Sequence, residues 1–137
     1  MKYGNIIIEK KEYTVLKEII AMARNKTDDT YKASLDKFLN ELKDAKVLPE
    51  AKLPADVVRF NSVVTILDPY RNIRSYEIVK PEKSSVRDNR ISVLAPMGLA
   101  LFGYAIDDDI MWRFPSGVQA IKILKVEHAT TTKEITT

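Results

Sequence analysis

With 137 residues, 45% of them hydrophobic, the chain can build one ordinary domain with its own core, or one domain and a small appendage. It contains no cysteine, which excludes disulfides, thiolate metal sites and cysteine nucleophiles. The formal charge of +3 is spread out: residues 1–50 carry ten Lys/Arg against nine Asp/Glu, and residues 51–127 carry eleven against nine, so no basic half offers itself to nucleic acid.

The chain opens on Ile6-Ile7-Ile8, long enough for a short strand or an anchoring plug. Glu9-Lys10-Lys11-Glu12 follows at once, so no signal-peptide apolar core is expected. No apolar run approaches the ~20 residues that span a bilayer, and the expected setting is the cytoplasm without membrane contact. From Lys10 to Asn25, the residues Tyr13, Leu16, Ile20 and Ala23 recur every three or four positions, with Val15 and Ile19 widening the stripe. That spacing predicts an amphipathic helix. Cap-forming residues from Asn25 to Thr30 break it. Tyr31, Leu35, Phe38, Leu39, Leu42 and Ala45 then mark a second amphipathic helix. Two such stripes joined by a short polar turn are buried by folding back antiparallel, a helical hairpin or short coiled coil with arms of about 16 residues, or ~24 Å.

Residues 46–54, with Pro49 and Pro54, read as a connector. Five strand candidates follow, at 61–67, 75–80, 91–95, 110–114 and 119–126. The last two flank Pro115-Ser116-Gly117, a hairpin signal. Between the third and fourth strands lies Ala95-Pro96-Met97-Gly98-Leu99-Ala100-Leu101-Phe102-Gly103. Proline ends the strand and suits the first turn of a helix, while Gly103 stands where a helix end wants positive φ. The expected class is α+β: a mostly antiparallel sheet around one short helix, preceded by the helical hairpin, with a frayed threonine-rich tail from about residue 128.

Few residues could carry chemistry. His128 is the only histidine, which rules out a His-based triad or a multi-histidine metal site. The four glycines, at 4, 98, 103 and 117, form no phosphate-binding loop. Asp28-Asp29 at the hairpin tip could offer oxygens to a hard cation, but Asp at a helix start more commonly caps free N–H groups. Asp107-Asp108-Asp109 reads as turn chemistry, because three adjacent carboxylates point in different directions. Arg71, Arg74, Lys80, Lys83, Arg87 and Arg90 form a band that reads as a solvated face. Tyr70 and Tyr76 are too few to make a stacking platform. Trp112 alternates with Ile110 and Phe114, which predicts a core side chain. No cofactor and no metal is expected.

The stretch from Ala95 to Gly103 resembles the [SA]-P-[LVM]-G-x-A-L-[LF]-G signature of the bacterial Gre transcription factor family and its Rnk branch, the regulators of nucleoside diphosphate kinase. Ile106, Asp108, Ile110, Trp112, Pro115 and Gly117 are similar to the family's next motif. Leu53-Pro54-Ala55-Asp56-Val57-Val58 with Asn61-Ser62 resembles the segment leading into the first strand, in its Rnk form. The resemblance spans roughly residues 48–126. Asp107 stands where the family usually has glycine; Asp tolerates left-handed geometry, so the turn is expected to survive.

The resemblance implies an FKBP-like fold for residues 51–137, after a helical arm over residues 1–50. It implies a regulator that binds RNA polymerase at the secondary-channel rim, close to nucleic acid only indirectly. Its docking residues would be Pro96, Met97, Gly98 and Leu101, a rigid turn flanked by Met97 and Phe102. Gre cleavage factors hold a catalytic Mg²⁺ through acidic tip residues. Asp28 and Asp29 occupy the tip here without the Asp-x-x-Glu arrangement, on an arm about half the Gre length, so no transcript cleavage and no enzymatic activity is expected. Two alternatives stand beside this reading: a transcript-cleavage factor using Asp28 and Asp29, and an FKBP-like prolyl isomerase or ligand module. The second lacks any matching pocket motif.

Overall fold

The structure, a computed structural model, describes residues 2–23, 29–114 and 116–128, without the side chains of residues 29–31, 34 and 112–114. It begins with strand β1 (Ile7–Glu9), which runs straight into helix α1 (Lys10–Ala23). Glu9 is both the end of the strand and the cap of the helix. Its carboxylate accepts the N–H groups of Lys11 and Glu12, each at 3.0 Å, two of the donors that a helix start leaves without a partner. Helix α2 (Asp29–Lys43) leads into strand β2 (Lys46–Leu48), which pairs parallel with β1. Parallel neighbours need a crossover of a dozen residues or more, and the two helices supply it. Residues 46–48, expected as connector, are therefore strand, because Ile7–Glu9 needed a ladder partner.

The main sheet holds β3 (Ser62–Leu67), β4 (Ile73–Val79), β5 (Arg90–Ser92), β6 (Asp109–Phe114) and β7 (Gly117–His128) in the order β5-β4-β3-β7-β6. The β4–β3, β3–β7 and β7–β6 ladders are antiparallel, as expected. The β4–β5 ladder is parallel, so the sheet is mostly but not wholly antiparallel. A loop with a 3-10 turn at Pro81–Lys83 returns the chain past the length of β4, so β5 starts beside Glu77 and runs the same way. The third strand is also shorter than expected. After Ser92 the chain turns, with Ser92 accepting Leu94 N–H on Oγ at 3.0 Å and Ala95 N–H on its carbonyl at 2.9 Å.

Alternation along β3 and β7 drives Val64, Ile66, Ile121 and Ile123 into a single core with Val93, Leu99, Leu101 and Phe102 from the segment after β5. Leu16 and Ile20 of α1 and Leu35, Phe38 and Leu42 of α2 belong to that same core. Burying a side chain such as Leu16 or Phe38 contributes roughly 1.5–3 kcal/mol each, so the helices and the sheet stabilise one another. The isoleucine run divides its work. Ile6 and Ile8 enter the large core, and Ile7 joins Val57 and Ala105 in a smaller one. Arg59 fastens the same parts through charge. Its Nε donates to Glu12 at 2.7 Å, and its terminal nitrogens donate to Glu50 at 2.6 and 2.7 Å.

Candidate functional site

Helix α3 (Pro96–Leu101) is held by backbone fit. Ala95 is extended, Pro96 takes the first helical position where its missing N–H costs nothing, and Gly103 closes the turn at φ +85°. Gly98 lies against the end of β5: a Cβ there would sit 2.3 Å from the Ser92 carbonyl oxygen and 2.9 Å from Val93 Cα. A Cβ on Gly103 would meet the Ile6 side chain at 2.8 Å, so Gly98 leaves room for a neighbouring backbone and Gly103 for a core side chain. Residues 56–58 then lace to the chain beyond α3. Val58 N–H donates to Tyr104 O at 2.8 Å, Gly103 N–H to Val58 O at 2.9 Å, and Ile106 N–H to Asp56 O at 3.1 Å.

Of the four residues expected to dock, the structure separates two pairs. Pro96 and Met97 are half-buried at the surface. Gly98 and Leu101 are buried, Leu101 at 0% exposure, and hold the turn against the core. Asp28 lies outside the described residues. Asp29 is the first residue of α2.

Asp107 and Asp108 of the acidic triplet resolve as turn chemistry, and Asp109 begins β6. Asp108 is 5% exposed and accepts Ala105 N–H at 2.9 Å on one oxygen and Lys2 N–H at 2.5 Å on the other. Asp107 takes φ +72° and stays exposed, the left-handed turn expected of it. Asn61 likewise takes φ +68°, and Ser62 Oγ accepts Arg59 N–H at 2.9 Å while meeting His128 Nδ1 at 3.1 Å. The Asn61-Ser62 pair is therefore a turn and an anchor for the end of β7. The expected core position of Trp112 falls on a side chain outside the described residues.

Beside Met97 opens a cleft of about 190 Å³, walled by Pro69, Tyr70, Arg74, Tyr76 and Gln119. Its rim is the β3–β4 turn, which Asp68 organises. Asp68 Oδ1 accepts Tyr70 N–H at 2.8 Å and Asn72 N–H at 2.9 Å, and Oδ2 accepts Arg74 Nε–H at 2.9 Å. The backbone donor of Asn72, then Arg74 and Tyr70, holds the Asp68 carboxyl below the usual carboxylate range. Arg74 and Arg90, expected in a solvated band, have side chains 55% and 38% exposed and are also tied to Asp68 and Glu77. The cleft escaped sequence reasoning because its walls come from the β3–β4 turn, β4, β7 and α3, which are far apart in the chain; Asp68-Pro69 before a tyrosine and two arginines was the available signal.

The family described as "Transcription elongation factor, GreA/GreB, C-term" matches residues 53–128, more than half of the chain. The chain belongs to the GreA/GreB family. It is 34% identical over 94 residues to the "Regulator of nucleoside diphosphate kinase" of Escherichia coli K12, covering 64% of this chain and 66% of that protein. It is 30% identical over 95 residues to "Transcription elongation factor GreA" of a Chelativorans species, covering 66% of this chain and 60% of that one. The matches thus span less than two thirds of these relatives' length. A solved structure, "Prokaryotic transcription elongation factor GreA/GreB from Nitrosomonas europaea", superposes with a TM-score of 0.71 at 28% identity, covering 90% of this chain and all of that one. Among the described residues no helix is long and apolar enough to cross a membrane.

Proposed function

We propose that this GreA/GreB-family chain is a cytoplasmic transcription regulator that binds RNA polymerase at the rim of the secondary channel and does not promote transcript cleavage. The supporting observation is the division of the signature turn: Pro96 and Met97 remain at the surface on a frame whose other residues are locked into the core. A rigid turn loses little backbone entropy when a partner covers it, and the flexible methionine side chain adapts to the surface it meets. Within this reading, residues 51–137 are the FKBP-like docking part and residues 1–50 the arm, a helical hairpin. Helices α1 and α2 have 14 and 15 residues, so each reaches only about 21–22 Å.

The test is direct binding of the purified chain to core RNA polymerase, alone and against a competing Gre factor. Pro96→Ala combined with Met97→Asp should abolish binding with an unchanged unfolding midpoint, and Asp28→Ala with Asp29→Ala should leave binding intact. A larger loss from the Asp pair than from the Pro96 and Met97 pair would overturn the docking assignment. A second reading, an active cleavage factor, is favoured by the GreA relative. RNA shortening in a stalled elongation complex on adding the chain, lost with the Asp28 and Asp29 substitutions, would establish it instead.

A further inference from the structure

We propose that the cleft beside Met97 is a socket for a side-chain carboxylate on the polymerase surface, gripped by Arg74 and flanked by Tyr70 and Met97. The proposal rests on the polymerase-docking reading and names the chemistry that the docking face recognises.

The charges in the cleft are arranged for an incoming anion. Asp68 is only 8% exposed and directs both oxygens at donors of its own turn, so it presents little negative surface. The Arg74 side chain is 55% exposed, so the charge shown to solvent is positive. Its Nε–H is held by Asp68, which orients the fork. A guanidinium oriented in advance can give parallel N–H donors to a carboxylate, with less ordering to be done on binding. Asp68 is the only carboxylate among the described residues lining the cleft. Arg71, exposed in the same turn at φ +68°, adds a second positive charge nearby.

The walls decide between kinds of partner. Tyr70 is 68% exposed, a large apolar surface with no covering group, and Met97 and Pro69 continue it. Tyrosine, arginine and methionine around a small depression are the anchors of protein interfaces. Phosphate-tracking surfaces gather many cations and read the backbone by charge, and one fork among apolar walls fits that poorly. The partner segment therefore carries an acidic residue beside an apolar one.

The experiment titrates the full chain against core RNA polymerase, before and after nuclease treatment, with urea unfolding of each variant. Arg74→Gln is expected to weaken binding about tenfold or more, the size of one lost charge-assisted hydrogen bond, and to flatten the salt dependence. Arg74→Lys should recover only part, because ammonium lacks the fork. Tyr70→Ala should weaken binding several-fold, and nuclease should change nothing. Wild-type affinity from Arg74→Gln, while the Pro96 and Met97 substitutions still abolish binding, would overturn the socket and leave the docking reading standing. Loss of binding on nuclease treatment would overturn it in favour of nucleic-acid phosphate. Absence of wild-type binding would overturn both readings. If Arg74→Gln lowers the unfolding midpoint, Tyr70→Ala decides, and unchanged binding there overturns the socket.

Discussion

Gly98 and Leu101 lie within one turn of Met97 on the same short helix, yet the two groups answer to different constraints. Gly98 has the Ser92 carbonyl against its backbone, and Leu101 is sealed in the core. Pro96 and Met97 share the helix start and face outward enough to be covered by something else. A family signature read as one unit is thus two superimposed sets, one fixed by packing and one left for contact. Substitution separates them: the inner set should fail in stability, and the outer set in binding.

The sharpest break of that comparison is Gly98→Ala. The new methyl would stand 2.3 Å from the Ser92 carbonyl oxygen and 2.9 Å from Val93 Cα and O, backbone atoms with no flexible end to swing aside. Destabilisation of about 3 kcal/mol or more is expected from forced overpacking and backbone shift, read as a fall in the urea midpoint. A variant that keeps its midpoint but loses polymerase binding would place Gly98 in the outer set after all.

The same division explains what was legible in the sequence. Helices α1 and α2 announced themselves through periodicity, because each buries one stripe, and β5 showed only as an aliphatic run from Ile91. Pro96 and Gly103 marked the ends of α3 for reasons of backbone geometry alone. Strand β2 was hidden. Three residues with Lys46 and Val47 exposed carry no pattern, and only the unpaired isoleucine run hinted that a partner existed. The Glu9 cap was hidden too, since glutamate is not a usual capping residue and is recruited here by the abrupt join of strand and helix. At the candidate site, the turn was visible and the cleft was not: Tyr70, Arg74 and Gln119 meet Met97 only through the strand order.

A second, smaller effect tests whether the helical segment is fixed to the sheet by charge as well as by core. Arg59→Ala removes the links to Glu12 and Glu50 and leaves Glu12, with a side chain 17% exposed, without its cation. A loss of about 2 kcal/mol at neutral pH is expected, below the range for fully buried pairs. The pH dependence has a definite sign. Hydrogen bonding and charge from Arg59 lower the Glu50 carboxyl from its ordinary 4.5, so as pH falls the unfolded chain takes up that proton first. The contribution is fully present above 4.5 and fades as pH drops through the lower folded value. The gap between the urea midpoints of wild type and Arg59→Ala should therefore narrow as pH falls below 4.5. A constant gap down to pH 3 would mean that Arg59 acts through packing alone.

The smallest expected effect concerns Asp107, where the chain departs from the glycine that the Gre resemblance leads one to expect. Its φ of +72° is left-handed, its side chain is exposed, and its N–H donates to Ile123 O at 2.8 Å. The turn needs a backbone shape rather than a carboxylate. Asp107→Gly relieves the φ cost but adds freedom to the unfolded chain, two opposing terms that should leave stability within about 0.5 kcal/mol. Asp107→Val keeps the charge loss and adds a β-branched side chain at positive φ, which should cost about 1–2 kcal/mol. Polymerase affinity should not change in either variant once folding is allowed for. If valine were tolerated as well as glycine, left-handed geometry would not be what this position demands, and the contrast drawn at Gly98 between backbone-limited and contact-limited residues would lose its second example.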